Sequence, residues 1–470
     1  MARLHEYLLG RSTFNLVDRL EVSQWLSPRA MQALQFRKLR RLVAHAAANC
    51  PYYHQRIDVP VEQLTTPHDL LQLPLLTRHE LSDHANEMRW PSAPHRVLID
   101  RTHGTSDAVF SFFSDRRRQA WDRANRLRGH RWHGFEIGDR ELHLWPIDPP
   151  RTLRARTREL LRRLRDRLLN ERQIDSLTVF NEGIDRAWSD WTSFGPGRLT
   201  AYPSTLVRFL ERSEAHRAHD LPSKLRTVFL TGEVVFPWQR EFIVNTLRAP
   251  VVECYGLQEV GAVAFECELG SWHVSAESIF LEVIRDGRPA GDGEYGELVA
   301  TTLDSMTMPV IRYCTGDVVR AARMSCPCGR GPPVMAPVLG RVDDFLEAAD
   351  GRLIPPAETI AALSGILEDG TWQLRQAEDG HLELCVIEAR QARIDWRLPA
   401  PRRLAKLLGG AFACTIVSVH DLERSSFGKC RYVQSKRTGA GLAISRSPSV
   451  KDECRTSRHH RMLPATMPPP

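Results

Sequence analysis

Three cysteines and one histidine of this 470-residue chain have the spacing of a metal site. Five residues separate Cys267 from His273, and Cys326-Pro327-Cys328 follows about 53 residues later. Three thiolates and an imidazole suit a closed tetrahedral Zn²⁺, at Zn–S distances of about 2.3 Å, with no open position for catalysis. Reduced core cysteines would give the same letters, and Cys-x-Cys is tighter than the usual finger knuckle. Other segments place glycine beside side chains that bind cations, anions or hydroxyls. These are Phe229-Leu230-Thr231-Gly232-Glu233, Glu253-Cys254-Tyr255-Gly256-Leu257-Gln258-Glu259, Ile311-Arg312-Tyr313-Cys314-Thr315-Gly316-Asp317 and Gly340-Arg341-Val342-Asp343-Asp344. A fifth, Arg424-Ser425-Ser426-Phe427-Gly428-Lys429-Cys430-Arg431, carries a Gly-Lys pair. Each is weak alone. A Tyr-Gly pair usually marks a turn at a strand end, Thr-Gly-Asp is common in loops, and a Lys after Gly is commonly a surface residue.

The elements that must hold these residues are legible in outline. Met31, Leu34, Leu39, Leu42, Val43 and Ala46 form a helical stripe over Arg29–Cys50, which Pro51 stops. Arg151–Arg172 predicts a second helix, with Leu153, Leu160, Leu161, Leu164 and Leu168 on one face and a solvated arginine face opposite. From about residue 196 the texture alternates. Short β-prone runs (Thr227–Leu230, Val251–Cys254) interleave with helical ones (Leu206–Ser213, Phe236–Leu247), which predicts a largely parallel sheet with helices outside. Ser278–Ile284 and Gly296–Thr302 read as strands after turns. Beyond Gly340 the pattern is small-domain α+β. It has a strand near Leu353, a helix from Ala357, and strands near Gln373, over His381–Ile387 and over Thr415–Val419. After about Lys436 the chain is rich in Ser, Arg and Pro, the composition of a disordered tail.

Length predicts about three domain-sized units. Hydrophobic residues at 42% and charged residues at 26% are those of a folded globular protein. There is no apolar run of about 18 residues to span a bilayer. His5 and Glu6 stand where a secretory signal would become apolar, so a cytoplasmic protein is expected. The net charge of +7 is local. Arg151–Arg172 holds nine Arg against three acids and the last 35 residues hold seven basic residues against two acids. Neither stretch interleaves aromatics for base stacking, so no nucleic-acid partner is expected. Most of the ten cysteines should be reduced core residues.

Taken together, in this order and spacing, the glycine-bearing segments resemble the adenylate-forming superfamily of acyl-CoA synthetases, and specifically its phenylacetate–CoA ligase branch. The resemblance runs over roughly residues 30–436. Asn49-Cys50-Pro51-Tyr52-Tyr53, Leu73-Pro74-Leu75-Leu76-Thr77-Arg78, Ala201-Tyr202-Pro203-Ser204 and Glu294–Thr302 carry the branch-level likeness. It implies an α/β fold. A large adenylating domain with mixed or parallel sheets would span 1–341, with zinc-binding loops at 267–273 and 326–328, where some relatives bind zinc. A small mobile α+β lid would span 342–435, and a basic tail 436–470.

The resemblance also implies roles. Tyr255 would cover adenine, with Gly232, Glu233 and Gly256 in the same slot. Asp317 would accept the ribose hydroxyls and Arg341 would reach the ribose. Glu259 would hold Mg²⁺, Asp343 would be the hinge, and Lys429 would bridge the carboxylate and the α-phosphate. Thr102, Gly104, Thr105 and Ser106 would form the phosphate loop. The implied activity is ATP-dependent activation of an aromatic or apolar carboxylic acid to an acyl-adenylate, then transfer to CoA. Pocket residues would lie near Tyr202, Phe236 and 262–264, and dimerisation is implied by resemblance only. A non-CoA acceptor, as in capsule or cofactor biosynthesis, is an alternative, as is a weakened relative that only binds a nucleotide or partner. Two departures bear on this. Asp107 stands where the phosphate loop expects Gly, adding negative charge beside a triphosphate. Gln258 replaces the usual Thr or Ser before the metal-binding Glu.

Overall fold

The computed structural model describes residues 2–94, 96–101, 110–147, 153–177, 183–214, 224–322, 324–388, 395–410 and 412–437. The expected long helix is Pro28–Asn49, capped by the Ser27 hydroxyl, which accepts from Ala30 N at 3.3 Å. Its buried stripe is Met31, Gln35, Leu39, Leu42, Val43 and Ala46. Each such leucine removed from water contributes about 1.5–3 kcal/mol.

The largest sheet has eight strands. Five are parallel, in the order Val251–Leu257, Thr227–Thr231, Arg198–Ala201, Glu141–Trp145, Glu171–Asp175. Gly261–Glu266, Trp272–Val274 and Val334–Met335 extend it antiparallel beyond Val251–Leu257. The sheet is therefore mixed, with the expected parallel core. Alternation along its strands decides which helix each face receives. Val228 and Leu230 join Trp188, Trp191, Phe209 and Ile243 of the helices on one face. Phe229, between them, turns to the other face. There it meets His130 of the Arg116–Arg131 helix, with ring centroids 4.5 Å apart.

A five-stranded antiparallel sheet runs Arg288–Pro289, Ile279–Arg285, Tyr295–Thr302, Tyr313–Arg320, Gly340–Arg341. Trp372–Gln376, Leu382–Val386, Cys414–Ser418 and Val433–Ser435 build a four-stranded sheet, with the helices Pro356–Leu363 and Pro399–Leu408. Their buried cluster centres on Trp372, Leu374, Leu384, Leu404 and Leu408.

Two local readings change, and one helix was not read from the sequence. The second helix is Leu153–Leu168, and Arg172 lies on the following strand. That helix is turned about. Leu160, Leu161, Leu164 and Leu168 are 68, 61, 54 and 52% exposed. Its polar side faces the protein instead: Asp166 is buried, and Arg162 donates to Gln173 of the next strand at 2.6 Å. The Tyr255-Gly256 pair lies within its strand, at a register shift, and Thr315–Asp317 lies within Tyr313–Arg320. Finally, Arg116–Arg131 is helical although its sequence holds seven arginines and little apolar periodicity. Its N-terminus is capped by Asp115, which accepts from Arg118 N. A buried ion pair, Arg128 to Glu277 at 2.7 Å, holds its far end.

Candidate active site

A cavity of about 580 Å³ opens at the carboxyl ends of the parallel strands, where α/β sheets ordinarily bind ligands. Strand ends supply Trp145, Thr231, Gly232, Cys254, Tyr255 and Gly256. The antiparallel sheet supplies Asp317 and Arg341, and the C-terminal segment supplies Lys429, Cys430 and Arg431. Most residues singled out from the sequence thus line one space, although they span nearly 200 positions.

On one side the Tyr255 hydroxyl donates to Asp317 Oδ2 at 2.6 Å, so ring and carboxylate form one wall. Burial pushes the Asp317 carboxyl up, opposed by Arg341, whose guanidinium lies 3.6 Å away. Gly316 allows that approach: its φ is +76°, and a Cβ there would lie 2.5 Å from Arg341 Nη2. Glu259 is buried. It accepts from the Tyr313 hydroxyl at 2.6 Å and lies 3.7 Å from Arg78.

Lys429 is 8% exposed and donates to the Gly232 carbonyl at 2.8 Å. Its ammonium stands 4.4 Å from the Tyr202 ring centre, a cation–π distance. Burial pushes the Lys429 ammonium down, while Glu233 and Asp317 support its charge. Gly232 (φ +79°) is required here, because a Cβ would lie 2.6 Å from Tyr202. Glu233 turns to Ser204, accepting from its N and Oγ at 2.9 Å each, and to Cys430 N at 3.0 Å. It therefore clamps the residue after Lys429 to the large sheet. Asp343 ion-pairs with Arg431 at 3.0 Å, and Asp344 pairs with the same guanidinium. Thr102, Gly104, Thr105, Ser106 and Asp107 lie outside the described residues, as does the chain after 437.

Tyr202 and Phe236 line the cavity, whereas residues 262–264 are buried behind it. Sequence reasoning missed Arg118, Asp122 and Arg126, which the Arg116–Arg131 helix presents to the cavity at i, i+4 and i+8. The signal available was that spacing of charges after a helix-capping Asp115. Trp145 was also missed; its ring stacks on Tyr202 at 4.2 Å.

The Cys/His set also converges. The ligand atoms of Cys267, His273, Cys326 and Cys328 lie within 4.8 Å of one another. Cys267 Sγ is 3.8 Å from Cys326 Sγ, and Cys328 Sγ is 3.2 Å from His273 Nε2. His273 Nδ1 lies 3.0 Å from the Pro332 carbonyl. A carbonyl only accepts, so Nδ1 carries the proton and the Nε2 lone pair is turned to the thiols, the orientation a metal-bound histidine needs. These donors fit a tetrahedral zinc.

The chain matches solved structures along nearly its whole length. The structure of 2-hydroxyisobutyryl-CoA ligase in the postadenylation state, with R3-HIB-AMP, superimposes with a TM-score of 0.71. That match covers 93% of this chain and 94% of the other at 18% identity. The same ligase with 2-HIB-AMP and CoA in the thioesterification state gives 0.59, over 88% and 91% at 19% identity. The chain has the adenylate-forming ligase fold. In sequence the chain resembles phenylacetate–CoA ligases. It is 29% identical to that of Thermus thermophilus over 232 residues, 43% of this chain and 52% of the relative. It is 32% identical to that of Escherichia coli over 259 residues, 51% and 58%. The chain thus spans a little over half the length of the curated relatives it matches. No protein-family model matches it. No described helix is long and apolar enough to cross a membrane.

Proposed function

We propose that this chain is an AMP-forming acid–thiol ligase that activates a carboxylic acid with ATP and passes the acyl group to CoA. The observation that carries this is Lys429. Its ammonium reaches the Gly232 carbonyl at 2.8 Å, inside a cavity that Tyr255, Glu259 and Asp317 also line. Relatives named phenylacetate–CoA ligase support the same reading.

In the first step a carboxylate oxygen attacks the α-phosphorus of ATP, the bond to the β-phosphate breaks, and pyrophosphate leaves. In the second the CoA sulfur attacks the acyl carbon and AMP leaves. The barrier of the first step is dominated by bringing two anions together. Lys429 offsets their repulsion from a water-poor position, where a fixed charge acts more strongly than in solvent. Tyr255 covers the adenine and Asp317 accepts the ribose hydroxyls, with Arg341 holding Asp317 in place. Glu233 and Ser204 fix the segment that carries Lys429. Glu259 would hold Mg²⁺, a hard cation that neutralises phosphate charge when bound. Cys267, His273, Cys326 and Cys328 would hold a structural Zn²⁺, tying the turn after Gly261–Glu266 to the loop after Tyr313–Arg320. The segment 342–435 would act as the mobile lid, swinging near Asp343 once its pair with Arg431 parts.

Acid-dependent exchange of pyrophosphate into ATP tests the first step, and hydroxamate trapping with and without CoA tests the acceptor. Exchange with at least one acid, and trapping that CoA suppresses, are expected. Exchange that ignores CoA and yields no thioester would instead favour another acceptor.

A further inference from the structure

The apolar lining implied by phenylacetate is present on only part of the cavity. Trp145 and Tyr202 make an aromatic wall beginning at the Lys429 ammonium. The side facing the Arg116–Arg131 helix is built from charged residues: Arg118, Asp122, Arg123 and Arg126, with Arg11 from the N-terminal segment. Most of these arginines are engaged. Arg118 donates to the Gln258 carbonyl at 2.6 Å, and its guanidinium lies over the Phe112 ring. Arg123 lies between Glu6 and Glu171, at 3.6 and 3.5 Å. Arg11 meets Gln119 and Glu6.

Arg126 differs. Its Nε donates to Asp122 Oδ2 at 3.0 Å. Among the described residues, neither of its two Nη groups has a hydrogen-bond partner, and the side chain is 47% exposed, within the cavity lining. Asp122 is fully used. Its other oxygen accepts from Ala262 N at 2.7 Å, which anchors it to the strand beside Gly256. The helix therefore holds a guanidinium by one edge and offers its planar fork to the cavity. A fork of that kind matches a carboxylate or phosphate through two parallel hydrogen bonds. An apolar acid packed against those donors would leave them without a partner.

We propose that the acid activated here carries a second anionic group, a carboxylate or phosphate ester, bound by Arg126 as the specificity-determining residue. This rests on the acid-activating reading above and deepens it. The reacting carboxylate lies at Lys429, the body of the acid lies along Tyr202 and Trp145, and the distal anion meets Arg126. Asp122 positions the fork and Arg118 adds positive potential beside it.

Pyrophosphate exchange with the full chain, over size-matched acids, tests this. The panel pairs hexanoate with adipate and phenylacetate with 4-(carboxymethyl)benzoate and 4-(phosphonooxy)phenylacetate, and adds straight dicarboxylates of increasing length. At least one dianionic acid should exceed its monoanionic partner by about 100-fold in kcat/KM, and the better of the carboxylate and phosphate arms identifies the group. Arg126→Leu should collapse that ratio by about 100-fold, chiefly through KM. Arg126→Lys, which keeps charge but loses the fork, should collapse it by about 10-fold. Monoanionic acids equal to or better than their dianionic partners would overturn the proposal and leave the acid-activating reading standing. A ratio that survives Arg126→Leu would overturn the role of Arg126. Exchange with no acid at all, while ATP still binds, would overturn the parent reading and this one with it.

Discussion

The two sides of the cavity are built by different means. The side proposed to hold the nucleotide takes its groups from strand interiors and ends: Tyr255, Asp317, Arg341 and the Gly232 carbonyl. Each is fixed by sheet register and by a glycine that lets a neighbour close in. The opposite side takes Arg118, Asp122 and Arg126 from one helix face, where their aim is set by the Arg126–Asp122 ion pair and by bonds to the backbone of Gln258 and Ala262. In the proposed reading the first arrangement holds the nucleotide, common to every acid, and the second is free to vary with the acid. Damage to the nucleotide side should therefore depress activity with every acid alike, whereas damage to the helix side should reorder the acids.

The largest effect should come from Lys429→Ala. Removing a preorganised charge at the reacting phosphate costs about 10²–10³ in exchange rate, by the same factor for every acid. A loss confined to some acids would erase the contrast between the two sides. Next is the Cys/His cluster. The double change Cys326→Ser, Cys328→Ser should abolish bound zinc in metal analysis and lower the thermal midpoint by several degrees, since structural metal binding is coupled to folding. Zinc-free wild-type protein, purified without chelator, would refute the metal assignment.

Asp317→Asn should raise the KM for ATP up to about 100-fold, the cost of exchanging a charged acceptor for a neutral one, and leave acid preference untouched. The smallest effect concerns Glu297, buried behind the same wall, where it accepts from Gly316 N at 2.8 Å. Burial, with Asp317 nearby, pushes its carboxyl up to about 7. A raised acid favours its neutral form in the fold. Stability should therefore fall as pH rises above the ordinary glutamate range near 4.5 and level off above about 7, by about 2 kcal/mol between pH 5 and 8. Glu297→Gln should remove that slope in denaturation curves.

The same contrast explains what could be read from the sequence. Nucleotide-side residues sit in short contiguous strings such as Thr231-Gly232-Glu233 and Thr315-Gly316-Asp317, because one strand end or one turn must present several groups at once. The long Pro28–Asn49 helix, the strands Thr227–Thr231 and Val251–Leu257 of the parallel core, and the longer strands Ile279–Arg285 and Tyr295–Thr302 were likewise visible in residue pattern. The helix side was not. Arg116–Arg131 has the composition of a solvated surface helix, and only the fold shows that it crosses a sheet face and points Arg126 inward. Helix Leu153–Leu168 deceived in the opposite sense. Its leucines form a core-like stripe, yet its polar side meets the protein, with Asp166 buried and Arg162 bonded to Gln173 of the next strand. Hydrophobic period gives an element's type and a preferred face, but polar contacts to a neighbouring strand can reverse the face. The contacts of Glu233 and Asp343 with Cys430 and Arg431 were hidden, since those partners lie far along the chain.

The central claim is that a lysine from the far end of the chain and the nucleotide-side residues form one adenylating centre. Pyrophosphate exchange over the acid panel, in wild type and Lys429→Ala side by side, tests it most directly. The account predicts acid-dependent exchange in wild type and a loss of about 10²–10³ in the variant. Equal exchange in both proteins would contradict it.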